Sequence, residues 1–567
     1  MIEDARDFNL IDESWIRARA KTGELVELSI RDLFHQAKGL VSLSNDIPTQ
    51  DFAILRMLLA ILQRSVLFEL DEDEDDPAEA WKTLWGADDL PTSAIDEYLN
   101  KWHDRFNLLD DQAPFMQVHD LEATNGVVGE SRKIIADIPD GDSLFTLRSG
   151  ESAEKLGYAE AARWLVHVHA FDTSGIKSGV IGDPSVKGGK SYPIGTGWAG
   201  RLGGVFLEGD DMRQTLLLNL VMTDDDYSDI CLADDDMPVW EQNPKRPGDE
   251  ERQPAGTADL YTWQSRRVRL FSEGGVVTGV TLSNGDKLEP YDMYNIEPMT
   301  AWRRSENLEK KLGRLPVYYP ITHRSGRALW RGLTSVITEW PEDGAGGVAT
   351  AFKAPLVVGW AGYLASENSG KCLSEDYSIR VHATGFEYGV QNSVVSEAID
   401  DVAEMHTYLL SPQGKVAANL VKQCVKDTDE AVRALGYMAK QLSVIGGGDD
   451  TQSSGAYNEA IAEAFFEIDG VFRVWLSQLC AKSILRDERA RWNKLASCIL
   501  RAMAQRMVEE SSSSLIVGRK VTEGKREHWV TAASIESRFY FKLRQVLPCE
   551  DLPLESEEQE GKNEASV

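Results

Sequence analysis

The chain is poor in the features that catalysis, export or metal binding would require. Its six cysteines, Cys231, Cys372, Cys424, Cys480, Cys498 and Cys549, lie far apart and none forms a CxxC pair. That spacing excludes a zinc ribbon and a disulfide framework, so reduced thiols are expected, with no metal and no other cofactor. No run of about 18 consecutive apolar residues occurs, which excludes a helical membrane span. Met1-Ile-Glu-Asp-Ala-Arg-Asp-Phe8 is acidic and has no apolar signal core, so the expected location is cytoplasmic. HExxH, GxSxG and Walker lysine motifs are missing. Gly195-Thr-Gly197 and Gly203-Gly204 lack the GxGxxG spacing of a dinucleotide loop. Positive charge is scarce as well. Sixty Lys and Arg face 92 Asp and Glu, a net charge of −32, which argues against a protein that coats nucleic acid over its whole surface.

The charge is unevenly placed. Acidity concentrates in Asp71–Asp76, Asp224–Asp226, Asp234–Asp236 and the tail from Glu555 to Glu564. The sign reverses between Ala301 and Arg331, with Arg303, Arg304, Lys310, Lys311, Arg314, Arg324, Arg327 and Arg331. It reverses again between Lys482 and Arg506. Basic strips on an acidic body suit binding of nucleic acid along chosen tracks; they equally suit salt-bridged helices. The nearest approach to a metal motif is His167-Val-His169. Helical neighbours two apart point in different directions, so both reach one ion only from a strand or irregular loop. A metal-dependent hydrolase using His167 and His169 is the alternative reading, and an acidic scaffold protein a further one.

At 567 residues the length suggests roughly two to four domains. With 42% hydrophobic and 27% charged residues, the composition is that of a soluble globular protein. Phe8–Ile16 followed by Val26–Ile30 reads as a hairpin turning at Gly23. Thr49–Gln63 has a helical apolar pattern with Thr49 as its cap, and Tyr98–Leu108 and Ala159–Val168 are further helices. Strands are expected at Leu216–Val221, Val268–Phe271, Val276–Leu282 and Ser378–Tyr388. Beyond Ala398 apolar residues recur at three- and four-residue spacing in Ala398–Leu410, Lys415–Leu442, Ala456–Ala481 and Ile484–Glu509, with a further helix at Ala532–Gln545. The expected architecture is α+β: a large mixed α/β N-terminal domain (residues 1–398) followed by a C-terminal four-helix bundle (399–567) with an acidic tail.

One stretch has chemistry to offer. Asp183-Pro-Ser-Val-Lys-Gly-Gly-Lys-Ser-Tyr-Pro-Ile-Gly-Thr-Gly-Trp198 places paired glycines between Lys187 and Lys190. Glycines let backbone N–H groups approach a groove or a phosphate with no side chain intervening, and lysines supply charge at the backbone.

Phe8-Asn-Leu-Ile-Asp-Glu-Ser-Trp-Ile16, Ala113-Pro-Phe-Met-Gln117, Lys187 through Trp198, Gly203-Gly204, Met212–Leu220, Met237-Pro-Val-Trp-Glu241 and Asp259-Leu-Tyr-Thr-Trp263 occur in that order. The ordered set resembles the CasA family, the large subunit of the type I-E CRISPR Cascade. The resemblance implies a non-catalytic subunit in antiviral defence, partnered by guide crRNA, target double-stranded DNA, the backbone and small Cascade subunits, and a helicase–nuclease. In that family a glycine loop enters the minor groove of the PAM; the matching residues are Lys187, Gly188, Gly189 and Lys190. A glutamine wedge opens the adjacent duplex, and Gln391, Asn392 and Ser393 match it. A loop touching the guide RNA corresponds to Phe145, Thr146 and Leu147. Two departures stand out. The cysteine-rich zinc site of some members is missing, and Pro298 stands where some place a PAM-contacting lysine, leaving Arg303 or Arg304 as candidates to replace it.

Overall fold

The computed structural model describes residues 7–66, 76–136, 154–222, 235–248, 252–340, 350–510, 517–523 and 526–549. The chain divides into two compact units, Met1–Ala418 and Asn419–Val567. The division falls later than residue 398 because Ala398–Leu410, expected as a bundle helix, is extended. A strand runs from Val395 to His406 and a single 3-10 turn spans Thr407–Leu410. Ala398, Ile399, Val402 and Ala403 mimic helical spacing, yet pairing with a neighbouring strand decides the outcome.

The first unit is organised around helix α1, Pro48–Val66. Proline opens it, where a missing N–H costs nothing. Thr49 is therefore not the cap; it lies buried in the first turn, its hydroxyl 2.9 Å from His167 Nε2. A helix buried on nearly all sides is a central core element, and α1 packs against helix α2, Tyr158–Phe171. The buried Arg56 of α1 makes a two-pronged salt bridge to Glu297 at 2.7 and 2.8 Å, and the Trp198 indole N–H donates to the same carboxylate at 2.6 Å.

Strands β1 (Gly204–Glu208), β2 (Arg266–Glu273), β3 (Val276–Asn284), β4 (Ser378–Tyr388) and β5 (Val395–His406) belong to two antiparallel sheets. One has the order β5-β4-β1, with Val381 opposite both Ala403 and Leu207; the other pairs β2 with β3. Leu216–Val221, expected as a strand, lies instead in and after helix Met212–Leu218. The Asp211 carboxylate accepts from Gln214 N, and the Gln214 side chain accepts from Asp210 N, a reciprocal cap that starts a helix. The amino-terminal hairpin is shifted: Ile16–Ala20 pairs with Leu25–Leu28, while Leu10, Ile11 and Trp15 before it are buried.

The second unit carries all but the first turn of helix α3 (Lys415–Ile445), with helices α4 (Asp450–Ser477), α5 (Leu485–Glu509) and α6 (Ala532–Val546). Phe472 and Trp475 of α4 pack on Trp492 of α5, whose indole N–H donates to Thr428 of α3 at 3.0 Å. The C-terminal helical region thus matches expectation. Among the described residues no helix is long and apolar enough to cross a membrane.

Candidate nucleic-acid interface

Lys187 and Lys190 exchange two backbone hydrogen bonds, N to O at 3.1 and 3.2 Å, around Gly188 (φ 59°) and Gly189 (φ 73°). This is a two-residue turn with both central residues left-handed, a conformation that glycine adopts without steric cost. All four residues are exposed, and the position a Gly188 side chain would take has no atom within 4 Å. Among the described residues neither lysine ammonium has an ion-pair partner. Ser185 fixes the approach to the turn by donating its N–H and hydroxyl to Asp183 at 2.8 and 2.7 Å.

The turn rests on Gly179. Its N–H donates to Gly189 O at 3.0 Å, and its carbonyl accepts from Thr124 N at 2.8 Å. A Cβ on Gly179 would lie 2.6 Å from the Gly189 carbonyl carbon and 2.7 Å from a Val186 methyl, so only glycine fits there. Beside it, Lys177–Ser178 pairs antiparallel with Lys190–Ser191.

Gln391, Asn392 and Ser393 occupy the exposed tip of the β4–β5 hairpin. Gly389 N donates to Val394 O and Asn392 N to Gly389 O, both at 3.0 Å. Gln391 (φ 59°) and Asn392 (φ 55°) are both left-handed. Asparagine tolerates this conformation; glutamine does so at a cost of about 1 kcal/mol, strain held at a tip where Val390 is 83% exposed. Among the described residues neither side-chain amide has a hydrogen-bond partner.

The two motifs, remote in sequence, meet in space. Ser174 N donates to Asn392 O at 2.8 Å, and three residues later the same segment begins its pairing with Lys190–Ser191. Between the turns lies a cavity of about 560 Å³ whose lining includes Gly189, Lys190 and Ser393–Val395, with Lys133 adding positive charge and Arg132 and Lys177 paired with Glu130 and Asp172. Asp172 also lines it. Burial alone would raise that carboxyl, but Arg266 and Lys177, the latter at 2.7 Å, hold it below the usual carboxylate range. Sequence reasoning missed Thr124, Asn125, Lys133 and Lys177; the doublet Arg132-Lys133 was the one local signal.

The remaining candidates lie elsewhere. Arg304 donates twice to Glu309, at 2.5 and 3.2 Å, and is engaged within its own strand–helix turn. Arg303 is exposed on the same strand, and neither arginine lines the cavity. Pro298 is buried, its carbonyl accepting from Val357 N. Phe145, Thr146 and Leu147 fall outside the described residues. The basic strip from Lys482 to Arg506 is largely paired within the helical unit: Arg489 with Asp427, Arg491 with Glu488 at 3.6 Å, Arg506 with Glu463 at 3.0 Å.

His167 and His169 do not converge. His167 faces Thr49, whereas His169 Nε2 faces the Met116 carbonyl at 2.9 Å. Burial lowers the two imidazoles to about 3 and about 4, so both are neutral core residues. Among the described residues no group of three His, Cys, Asp or Glu could hold a metal ion.

The family model for CRISPR-associated protein Cse1 matches residues 9–502. A CasA/Cse1 protein of Thermus thermophilus is 30% identical over 470 residues, covering 80% of this chain and 82% of the relative. The crystal structure of Thermobifida fusca Cse1 superposes with a TM-score of 0.86 at 38% identity, covering 97% of this chain and 99% of that one. Cse1 from Acidimicrobium ferrooxidans gives a TM-score of 0.78 at 28% identity, covering 95% and 98%. The chain belongs to the CRISPR-associated Cse1 (CasA) family.

Proposed function

We propose that this chain is the non-catalytic large subunit of a type I-E Cascade surveillance complex, working with guide crRNA, the backbone and small subunits and a helicase–nuclease. The Lys187–Lys190 turn reads the PAM of double-stranded DNA from the minor groove, and Gln391-Asn392 wedges the next base pair open for R-loop formation. The observation that carries this reading is the backbone link between the two turns through residues 174–178, bonded to Asn392 at Ser174 and paired with Lys190–Ser191 at Lys177–Ser178. A reader and a wedge must address adjacent steps of one duplex, and these two sit on one support.

The chemistry fits the task. The minor groove separates A·T from G·C and little more, so an exposed backbone turn with two flanking cations is sufficient. Sequence reading beyond the PAM is delegated to guide pairing, the division of labour that RNA-guided DNA recognition uses in general. Opening one stacked pair costs roughly 1–2 kcal/mol, which an inserted amide offsets by hydrogen bonding to exposed base edges.

The test uses the assembled complex. Lys187→Ala with Lys190→Ala is expected to weaken PAM-duplex binding and to reduce the salt slope by about 0.9 per lost phosphate contact. Gln391→Ala with Asn392→Ala is expected to impair R-loop formation while assembly with guide RNA persists. Unchanged salt slope and unchanged R-loop yield would overturn the proposal.

A further inference from the structure

The cavity between the two turns has a composition that neither reading nor wedging requires, and we infer that it receives one nucleotide extruded from the duplex as the first base pair opens. This rests on the functional reading above and assigns that site a further ligand, an unstacked nucleotide.

Size is the first argument. A cavity of about 560 Å³ lies within the roughly 300–1,000 Å³ of pockets that enclose small organic ligands. Position is the second. Its lining draws on Gly189 and Lys190 from one turn and Ser393–Val395 from the other, so it opens where a base displaced by the wedge would leave the stack. Its lining chemistry is the third. Ile134, Val168 and Leu282 form a buried apolar floor suited to a base face. The Lys133 and Lys190 side chains are exposed beside it, placed for a phosphate, and among the described residues neither is ion-paired. Asn125 accepts from Val127 N at 3.0 Å through its carbonyl oxygen, which leaves its amide N–H₂ free among the described residues to donate to a base edge. Among the described residues the one acid in the lining, Asp172, is neutralised by Arg266 and Lys177 and does not repel a phosphate. Apolar floor, base-edge donor and cationic rim are the parts that base-flipping proteins assemble. Enclosing the base offsets part of the few kcal/mol of unstacking, so strand separation at the first step does not depend on the wedge amides alone.

Permanganate footprinting on the complete guide-loaded complex tests this. Thymine is placed at the first position of each strand in turn, with further thymines downstream as the internal reference. In the wild type one strand's first thymine is expected to react about tenfold less than its unpaired downstream neighbours, the ratio that roughly 1.4 kcal/mol of enclosure produces. Ala136→Trp, which places a bulky ring in the cavity wall, and Lys133→Glu, which reverses an exposed charge, are each expected to raise that ratio toward one. If downstream thymines react and the first one on both strands reacts equally, the inference is overturned while the proposed function stands. Protection that persists in both variants also overturns it, because the base is then sheltered elsewhere. If no thymine reacts in the wild type, strand opening fails and the functional reading falls with it.

Discussion

Replacing Gly188 with asparagine separates the fold of the reading turn from its use. Gly188 has φ 59°, and no atom lies within 4 Å of the side-chain position. Asparagine populates the left-handed region, and Asn-Gly is the most favoured pair for a two-residue turn of this kind. The change therefore leaves the hairpin intact and stiffens the unfolded chain, so stability is expected to stay level or rise by a few tenths of a kcal/mol. Function is another matter. The minor groove is about 6 Å wide, and a side chain at the apex keeps backbone N–H groups away from the base edges. Each hydrogen bond lost contributes about 0.5–1.5 kcal/mol, so losing one or two weakens binding by about twofold to about a hundredfold. The assay is anisotropy of a labelled PAM duplex titrated with complex carrying Gly188→Asn, at fixed salt, with the melting temperature measured alongside. Wild-type affinity in a correctly assembled variant would refute the idea that DNA approaches this backbone.

Two further outcomes are expected. Gly179→Ala forces a Cβ to within 2.6 Å of the Gly189 carbonyl carbon, so it should destabilise the protein by about 1–3 kcal/mol, read as a lower melting temperature, and weaken duplex binding; an unchanged melting curve counts against the close approach. His382 of β4 sits between Glu208 of β1 and Asp400 of β5: burial pulls its imidazole down, but the two carboxylates override it and lift it to about 9. A folded-state value above the unfolded value of about 6.5 gives stability that is fully present below pH 6.5 and lost as pH rises through about 9. Across that window the wild type should lose about 1–3 kcal/mol more than His382→Asn, and parallel pH–stability curves would exclude the assignment.

Local pattern carried much of the architecture. The strand at Ser378–Tyr388, the Val268 and Val276 pair and the C-terminal helices α3 to α6 follow from apolar alternation or helical spacing that the sequence displays. Errors arose where a local pattern admitted two structures. Val395–His406 carries both a period near 3.6 and an alternation that buries Ala403 and Met405, and the choice is made by β4, a partner that local spacing does not reveal. The run Leu216-Leu-Leu-Asn-Leu-Val221 is equally ambiguous, and the deciding signal was the Asp211–Gln214 cap just before it. At the site, the glycine turn was legible because its composition demands positive φ. Lys133 and Lys177 were not, since they are ordinary lysines until the pairing of Gly129–Glu130 with β3, and the bonds of Ser174 and Gly179, bring their segments beside the cavity.

That single short segment, tied to Lys190–Ser191 at one end and to Asn392 at the other, has a metric consequence. It acts as a ruler. The spacing between the point where a duplex is gripped and the point where it is split is set by covalent chain length and two backbone attachments, not by any side chain. On the proposed reading, such a device is lenient about which bases it grips and strict about how far away it cuts into the stack. A duplex with one base pair inserted between motif and target would be gripped equally well and opened at the wrong step.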